Sequence, residues 1–129
     1  MSKYCRIIEH GIVLQDFSGI RDPLESIRAI ADAREFMETQ PQGEVLVMTD
    51  VKGAPFNAEI AQAMQDLAAH HKPWVLGSVL VGLTGPMRLA FRAITTVTGR
   101  DIKVLESRTA GIAYLLGRRR RAARSSSSR

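Results

Sequence analysis

The sequence has a single cysteine, Cys5, in a chain of 129 residues. One cysteine cannot form an internal disulfide, and it excludes a metal site built from several cysteines. The chain also has no apolar run near the roughly 20 residues that a membrane-spanning helix needs. Its first ten residues, MSKYCRIIEH, lack the apolar segment of a secretory signal. We therefore expect a cytoplasmic protein without a transmembrane segment.

Acidic residues are missing from the C-terminal segment 118–129, RRRRAARSSSSR, which holds six arginines. The whole chain has a net charge of +5, but without this segment 12 basic residues remain against 13 acidic ones. The basic character belongs to the tail, which argues against nucleic-acid binding by the folded body. We predict one domain over residues 1–117 and a disordered Arg/Ser-rich tail over 118–129. The tail is most simply a solubilising end, with contacts to nucleic acid, anionic lipid or an acidic protein as alternatives.

Motifs for a cofactor are absent as well. The segment GLTGP, residues 82–86, lacks the lysine and the spacing of a phosphate-binding P-loop, and we predict neither cofactor nor metal. His70 and His71 end a predicted helix, at the edge of the predicted sheet opposite its polar loops, so no histidine is placed to activate a nucleophile. Asp16 and Asp50 could approach each other for acid–base work or Mg²⁺ binding, but a structural turn is the more common role. We predict that the protein is not an enzyme.

The hydrophobic pattern predicts an α/β fold with the element order β-β-α-β-α-β-α-β-α. Two short apolar runs flank His10 and Gly11, which indicates an antiparallel hairpin. Asp22 and Asn57 stand where the caps of the first two helices belong. Strands that alternate with helices indicate parallel pairing through right-handed crossovers. We therefore predict a mixed, mostly parallel sheet with helices packed against it.

Three polar loops follow predicted strands, at residues 16–19, 49–56 and 82–86. Because the carboxyl ends of parallel strands meet at one edge of a sheet, where ligands gather, we predict a binding site for a ligand or a partner there. The predicted binding residues are Asp16, Ser18, Thr49, Asp50, Lys52, Thr84 and Arg88. Each of them also has a purely structural interpretation, as a turn residue, a helix cap or part of a solvated helix face.

Several segments in this order resemble the SpoIIAA-like family, a branch of the STAS superfamily named for sulfate transporters and anti-sigma-factor antagonists. They are DFSGI (16–20), TDVKGAPF (49–56), VGLTGPMRLAFRAIT (81–95) and TGRDI (98–102). The resemblance covers roughly Tyr4 to Leu116. It implies a STAS-type β/α fold and a non-enzymatic, protein-binding role.

Compared with the anti-anti-sigma relatives that it resembles, this chain differs at the site of phosphorylation. In those relatives a serine at the start of the second helix is phosphorylated, which adds about −1.5 to −2 charges and breaks the partner interface. The corresponding residues 51–54 of this chain, VKGA, carry no hydroxyl. We therefore expect no phosphoserine switch at these residues of this chain.

Two functions remain as hypotheses. The first is a regulatory protein-interaction module that binds a protein partner or a second copy of itself through the three-loop edge and the adjacent second and third helices. The alternative is a carrier or sensor of a small apolar or lipid-like ligand beneath the same loops. A cavity on the order of several hundred Å³ would favour the carrier, and a flat, partly apolar helical surface with no cavity would favour the interaction module.

Overall fold

The computed structural model describes residues 2–127, and within them one five-stranded sheet is covered by four helices. The strands are β1 (Cys5–Ile7), β2 (Val13–Asp16), β3 (Val45–Asp50), β4 (Val75–Val81) and β5 (Lys103–Leu105). The helices are α1 (Pro23–Glu38), α2 (Ala58–His71), α3 (Gly85–Thr98) and α4 (Arg108–Ser127). The predicted α/β class and element order are confirmed, whereas the STAS-type identity of the fold stays a prediction.

The sheet is mixed, as predicted. β1 and β2 form an antiparallel hairpin with Cys5 opposite Gln15, and the pairs β2–β3, β3–β4 and β4–β5 are parallel. A short 3₁₀ turn, Glu9–Gly11, closes the hairpin, and His10 adopts a left-handed conformation there with φ 62°. The strand order β1-β2-β3-β4-β5 is also the order along the chain.

This order decides which side of the sheet each helix covers. Right-handed crossovers between successive neighbouring parallel strands place all their helices on one face. Accordingly α1 contacts α2 and α2 contacts α3, while α4 packs alone against β3 and β4 on the other face. All six residues of β3 are buried, which explains why this strand reads as a nearly continuous apolar run.

Two main cores follow from the two faces. Ala29 and Ile30 of α1 share the larger core with Leu67 of α2 and Leu80 of β4. Leu115 of α4, fully buried, packs on the opposite face against strand residues that include Leu46, Met48 and Val79. Strand side chains alternate between these cores.

Local capping explains where the first two crossover helices begin. The Asp22 side chain accepts a hydrogen bond from the Leu24 amide, and Pro23 occupies the first turn of α1. Asn57 accepts from the Ile60 amide at 2.8 Å at the start of α2. Thr84 holds the N-cap position of α3 but makes no side-chain capping hydrogen bond.

The C-terminal segment differs from the expectation. We predicted disorder over residues 118–129, but α4 continues to Ser127. Arg119 donates to the carbonyl of His10 at 2.9 Å, and the guanidinium of Arg121 lies 5.9 Å from the Tyr114 ring centroid. Arginine and alanine favour helix, and a helix already docked on the sheet propagates easily, so low complexity did not imply disorder here. Residues 128 and 129 lie outside the described residues, and the domain boundary at 117 stays a prediction.

The connection between β4 and α3 depends on Gly82, which has φ 90°. A Cβ added there would lie 2.6 Å from the Lys52 backbone nitrogen. We expect Gly82→Ala to lower the free energy of unfolding by about 2 kcal/mol, because both backbone strain and a backbone clash oppose the side chain. Urea denaturation measures the change. At Gly19 an added Cβ meets no heavy atom within 4 Å, so Gly19→Ala should change stability by less than about 0.5 kcal/mol. Equal losses in the two variants would contradict this account of the connection.

Candidate functional site

The carboxyl ends of β2 and β3 bring two of the predicted site residues together. Asp16 and Asp50 are direct partners in the parallel register. Both side chains lie on the α4 side of the sheet, where Arg108 at the start of α4 reaches them. The Arg108 Nε donates to Asp50 Oδ2 at 2.7 Å, and its Nη2 lies 3.1 Å from Asp16 Oδ1. We call these three residues the arginine clamp.

The clamp explains how two carboxylates are tolerated side by side. The Asp50 side chain is only 7% exposed, and a buried carboxylate without a partner is strongly unfavourable. Burial alone would lower the pKa of Arg108, but the hydrogen bond to Asp50 and the charges of both aspartates raise it. Burial would likewise raise the pKa of Asp16, but hydrogen bonds from Ser18 and the charge of Arg108 lower it. The Asp16–Arg108 pair therefore stays ionic.

The remaining carboxylate oxygens are used by the adjoining turns. Asp16 Oδ1 accepts from the Ser18 amide at 3.1 Å and from the Ser18 hydroxyl at 2.6 Å. Asp50 Oδ1 accepts from the Lys52 amide at 3.0 Å, and Arg6 lies 3.6 Å from Asp16 Oδ2. Each carboxylate oxygen thus has a partner within the chain. The geometry is that of capped turns, the structural interpretation that the sequence left open for these residues.

Other predicted site residues lie apart from the clamp. Thr49 precedes Asp50, but strand alternation directs it to the opposite face, where its hydroxyl accepts from Gln15 Nε2 at 2.7 Å. Thr84 at the N-cap of α3 and Arg88 in its first turn are both exposed. The single polar edge predicted from the sequence is therefore divided between two faces of the sheet.

A hydrogen-bonded chain runs from exposed Glu38 to the buried side chains of the sheet on the α1–α3 side, and it was not predicted. Glu38 lies 2.8 Å from Nε2 of His70, and the two Nδ1 atoms of His70 and His71 are 3.0 Å apart. Nε2 of His71 lies 2.6 Å from Gln15 Oε1, and Gln15 continues the chain to Thr49. We call these five residues the histidine chain. It joins the end of α2 to the middle of the sheet, so the two histidines do not stand apart from the strands.

Burial decides the charge of the histidine chain at His71. This side chain is 3% exposed, and burial, followed by the charges of His70 and Arg100, lowers its pKa to about 3. His71 is therefore neutral at neutral pH. Its partners determine which ring nitrogen holds the proton.

An apolar crevice lies between α2, α3 and the loop after β3, and we call it the α2–α3 crevice. Its cavity volume is about 60 Å³. The walls include Phe17, Ile30, Val51, Ile60, Met87 and Phe91. Ser26 also lines it, and among residues 2–125 its hydroxyl is the one buried side-chain polar atom without a hydrogen-bond partner.

Comparisons with known proteins gave no match. No family model, no curated protein and no solved structure matches this chain. Over residues 2–127 no helix combines the length and the apolar character needed to cross a membrane. In the same part of the chain, no three histidine, cysteine, aspartate or glutamate side chains are grouped so that they could hold a metal ion.

Replacing Arg108 tests the arginine clamp. We expect Arg108→Met to lower the free energy of unfolding by about 2 kcal/mol, because it leaves the buried Asp50 carboxylate without its cation. The loss stays below that of a fully buried pair because the Arg108 side chain is 36% exposed. The matched control is Arg6→Met, since Arg6 is 56% exposed and faces the same Asp16 at 3.6 Å. It should lose no more than about 0.5 kcal/mol, and an equal loss would show that Arg108 is an ordinary surface cation.

Acid sensitivity tests the state of His71. Its pKa is about 3 in the folded protein and about 6.5 in the unfolded chain, so stability should fall as the pH decreases from 6.5 towards 3. We expect His71→Gln, which cannot gain this proton, to lose about 2 kcal/mol less than the wild type between pH 7 and pH 4.5. Urea denaturation at both pH values measures the difference. The control His10→Asn alters an exposed histidine and should follow the wild type, and the same pH dependence in all three proteins would contradict the neutral, buried state.

Proposed function

We propose that this protein is a non-enzymatic, regulatory interaction module of the STAS type that binds a protein partner through α3 and the adjoining α2–α3 crevice. The observation that supports this most strongly is the incomplete burial of α3, where Met87 alone of its 14 residues is buried. Leu89 and Val97 are 74% and 67% exposed. They lie four residues on either side of the exposed Ala93, so all three form a ridge along one side of the helix.

The crevice beside this ridge has the size of a socket for one side chain. Pockets for free small molecules typically have volumes of about 300–1,000 Å³, whereas this cavity holds about 60 Å³. Apolar side chains seated in small, well-packed pockets contribute most of the affinity of many protein interfaces. Phe56 lines the crevice and is 40% exposed, so it can contact a partner at the opening.

The charges around the ridge indicate what the partner presents. Arg88 and Arg92 are exposed and one turn apart, and α3 has no acidic residue. A partner with an apolar anchor flanked by acidic side chains would match this surface in both shape and charge. The proposed surface is thus α3 and the loop at 51–56, which keeps Lys52, Thr84 and Arg88 within it or at its border.

The structure gives no support to catalysis by the candidate groups. Asp16 and Asp50 are held by Arg108, and their oxygens already accept hydrogen bonds within the chain. Burial raises the pKa of the Cys5 thiol to about 11, so this thiol is not an activated nucleophile. His71 is enclosed and neutral. These observations favour a binding role over an enzymatic one.

A carrier or sensor of a small apolar molecule is the second candidate, and one observation favours it. Ser26 is 6% exposed and lines the crevice, and its hydroxyl has no hydrogen-bond partner among residues 2–125. A buried hydroxyl group in a protein usually forms a hydrogen bond with a protein group or an ordered water molecule. A small apolar molecule with one hydroxyl or carbonyl group would satisfy it, provided that α3 moves outward to enlarge the cavity.

Affinity capture with matched surface variants separates these functions. We expect a protein from the native lysate to be retained by the wild type and lost with Leu89→Lys, because the charge lies on the proposed ridge. Leu24→Lys is the control, since Leu24 is a similar exposed leucine, 62% exposed, on α1. Urea denaturation should show that both variants keep the stability of the wild type.

Two other results would count against an interface on α3. Retention of the same partners by Leu89→Lys and the wild type would contradict an interface on α3. A small molecule that co-purifies with the wild type, is seen by native mass spectrometry, and is lost with Ser26→Ala would establish the carrier instead.

A further inference from the structure

A polar cleft lies at the end of the sheet opposite the arginine clamp. It is enclosed by the end of α2, the start of β4, the loop between α3 and β5, and α4, with a cavity volume of about 180 Å³. Lys72, Ser78, Arg100, Asp101, Tyr114 and Arg118 contribute its polar side chains. We call it the basic cleft, because three of these residues are cations and one is an acid.

Arg100 is the unusual member of this group. Its Nη1 donates to the carbonyl of Ala68 at 2.7 Å, and its Nη2 donates to the Ser78 hydroxyl at 2.7 Å. Both acceptors are neutral, and the ion pairs found in the described part of the chain all involve other cations. Burial lowers the pKa of Arg100, as expected for a cation withdrawn from water without a counter-ion.

The guanidinium nevertheless remains charged and has unused donors. An arginine carries five N–H donors, of which these two hydrogen bonds use two. Arg100 is half-buried, and a charge partly withdrawn from water is less favourable than an exposed one unless an opposite charge or further hydrogen bonds compensate it. Arg100 is therefore poised for an anion that reaches it through the basic cleft.

Two further cations approach the same cleft from other elements. Lys72 follows α2 and donates to the carbonyl of Thr98 at 3.2 Å, again a neutral acceptor. The Arg118 stem crosses β4 at Gly77, where an added Cβ would lie 3.0 Å from its Cγ. Asp101 is exposed and forms no ion pair with any of the three cations among the described residues. The cleft thus gathers positive charge that the described chain does not neutralise.

We propose that the basic cleft binds a phosphate-type oxyanion, with Arg100 as its innermost ligand and Lys72 and Arg118 at its sides. A doubly charged tetrahedral anion accepts hydrogen bonds in several directions, which suits cations that converge from three elements. The three cations and one acid of the cleft give it a formal charge of +2, which a doubly charged anion compensates in full and a single carboxylate only by half. The hydroxyls of Ser78 and Tyr114 supply further polar contacts in the cleft wall. This site is separate from the α3 surface and does not depend on the function proposed for that surface.

Calorimetric titration of the full chain at constant ionic strength tests the proposal. The probes are inorganic phosphate and glycerol 3-phosphate, with sodium chloride as the reference salt. We expect a Kd of about 1 mM or lower for at least one phosphate form. Binding by either form supports the proposal, and the tighter of the two distinguishes the free anion from a phosphate ester.

Variants locate the bound anion. We expect Arg100→Met to weaken phosphate binding at least about tenfold, and Arg118→Gln to weaken it in the same direction. Arg118→Gln also keeps the test valid if Arg100→Met fails to fold, because Arg118 lies at the side of the cleft. Arg92→Gln alters an exposed arginine of α3 outside the cleft and should bind phosphate like the wild type. Phosphate that acts no differently from chloride, or binding that Arg118→Gln leaves unchanged, would overturn the proposal.

Discussion

The parallel pairing of consecutive strands is the constraint on which the rest of this structure depends. Because β2 to β5 lie side by side in chain order, their crossover helices share one face and α4 has the other to itself. Each strand residue then belongs to one face or the other. Thr49 and Asp50 are neighbours in sequence, yet one joins the histidine chain under the crossover helices and the other joins Arg108 of α4. The polar side chains at the ends of the strands are therefore divided between the two faces of the sheet.

Because of this division, the carboxylates at the carboxyl ends of the strands have a structural role. Polar residues at the carboxyl ends of parallel strands are a common place for ligands, and the sequence places Asp16 and Asp50 there. In the structure these carboxylates are occupied by Arg108 and by the turns that follow them, so they stabilise the edge and leave no carboxylate oxygen unpartnered. The exposed apolar ridge lies elsewhere, on α3. Three cations that form no ion pair among the described residues lie in the basic cleft.

The sequence predicts the local and regular parts of the fold well. The hairpin at His10, the caps at Asp22 and Asn57, and the meeting of Asp16 with Asp50 all follow from short-range patterns and the geometry of parallel strands. The arginine clamp could not be predicted in this way. Arg108 meets Asp50 across 58 positions of sequence, and nothing near residue 108 distinguishes it from a solvated arginine. The same holds for the buried His71 and the half-buried Arg100, whose surroundings depend on how α2, α3 and the sheet pack together. The helical state of the arginine-rich segment depends on α4 docking through Leu115, which composition alone does not reveal.

We propose that α3, the α2–α3 crevice and the loop at 51–56 form the surface that binds a partner, whereas the carboxylates of the arginine clamp take no part in it. Hydrogen–deuterium exchange of the chain, free and in complex with its captured partner, tests this most directly because it reports on every backbone amide. We predict slower exchange in the complex over residues 85–98 and 51–56, with residues 9–11 of the hairpin turn unchanged. Slower exchange confined to residues 16–19, with α3 unaffected, would contradict this proposal.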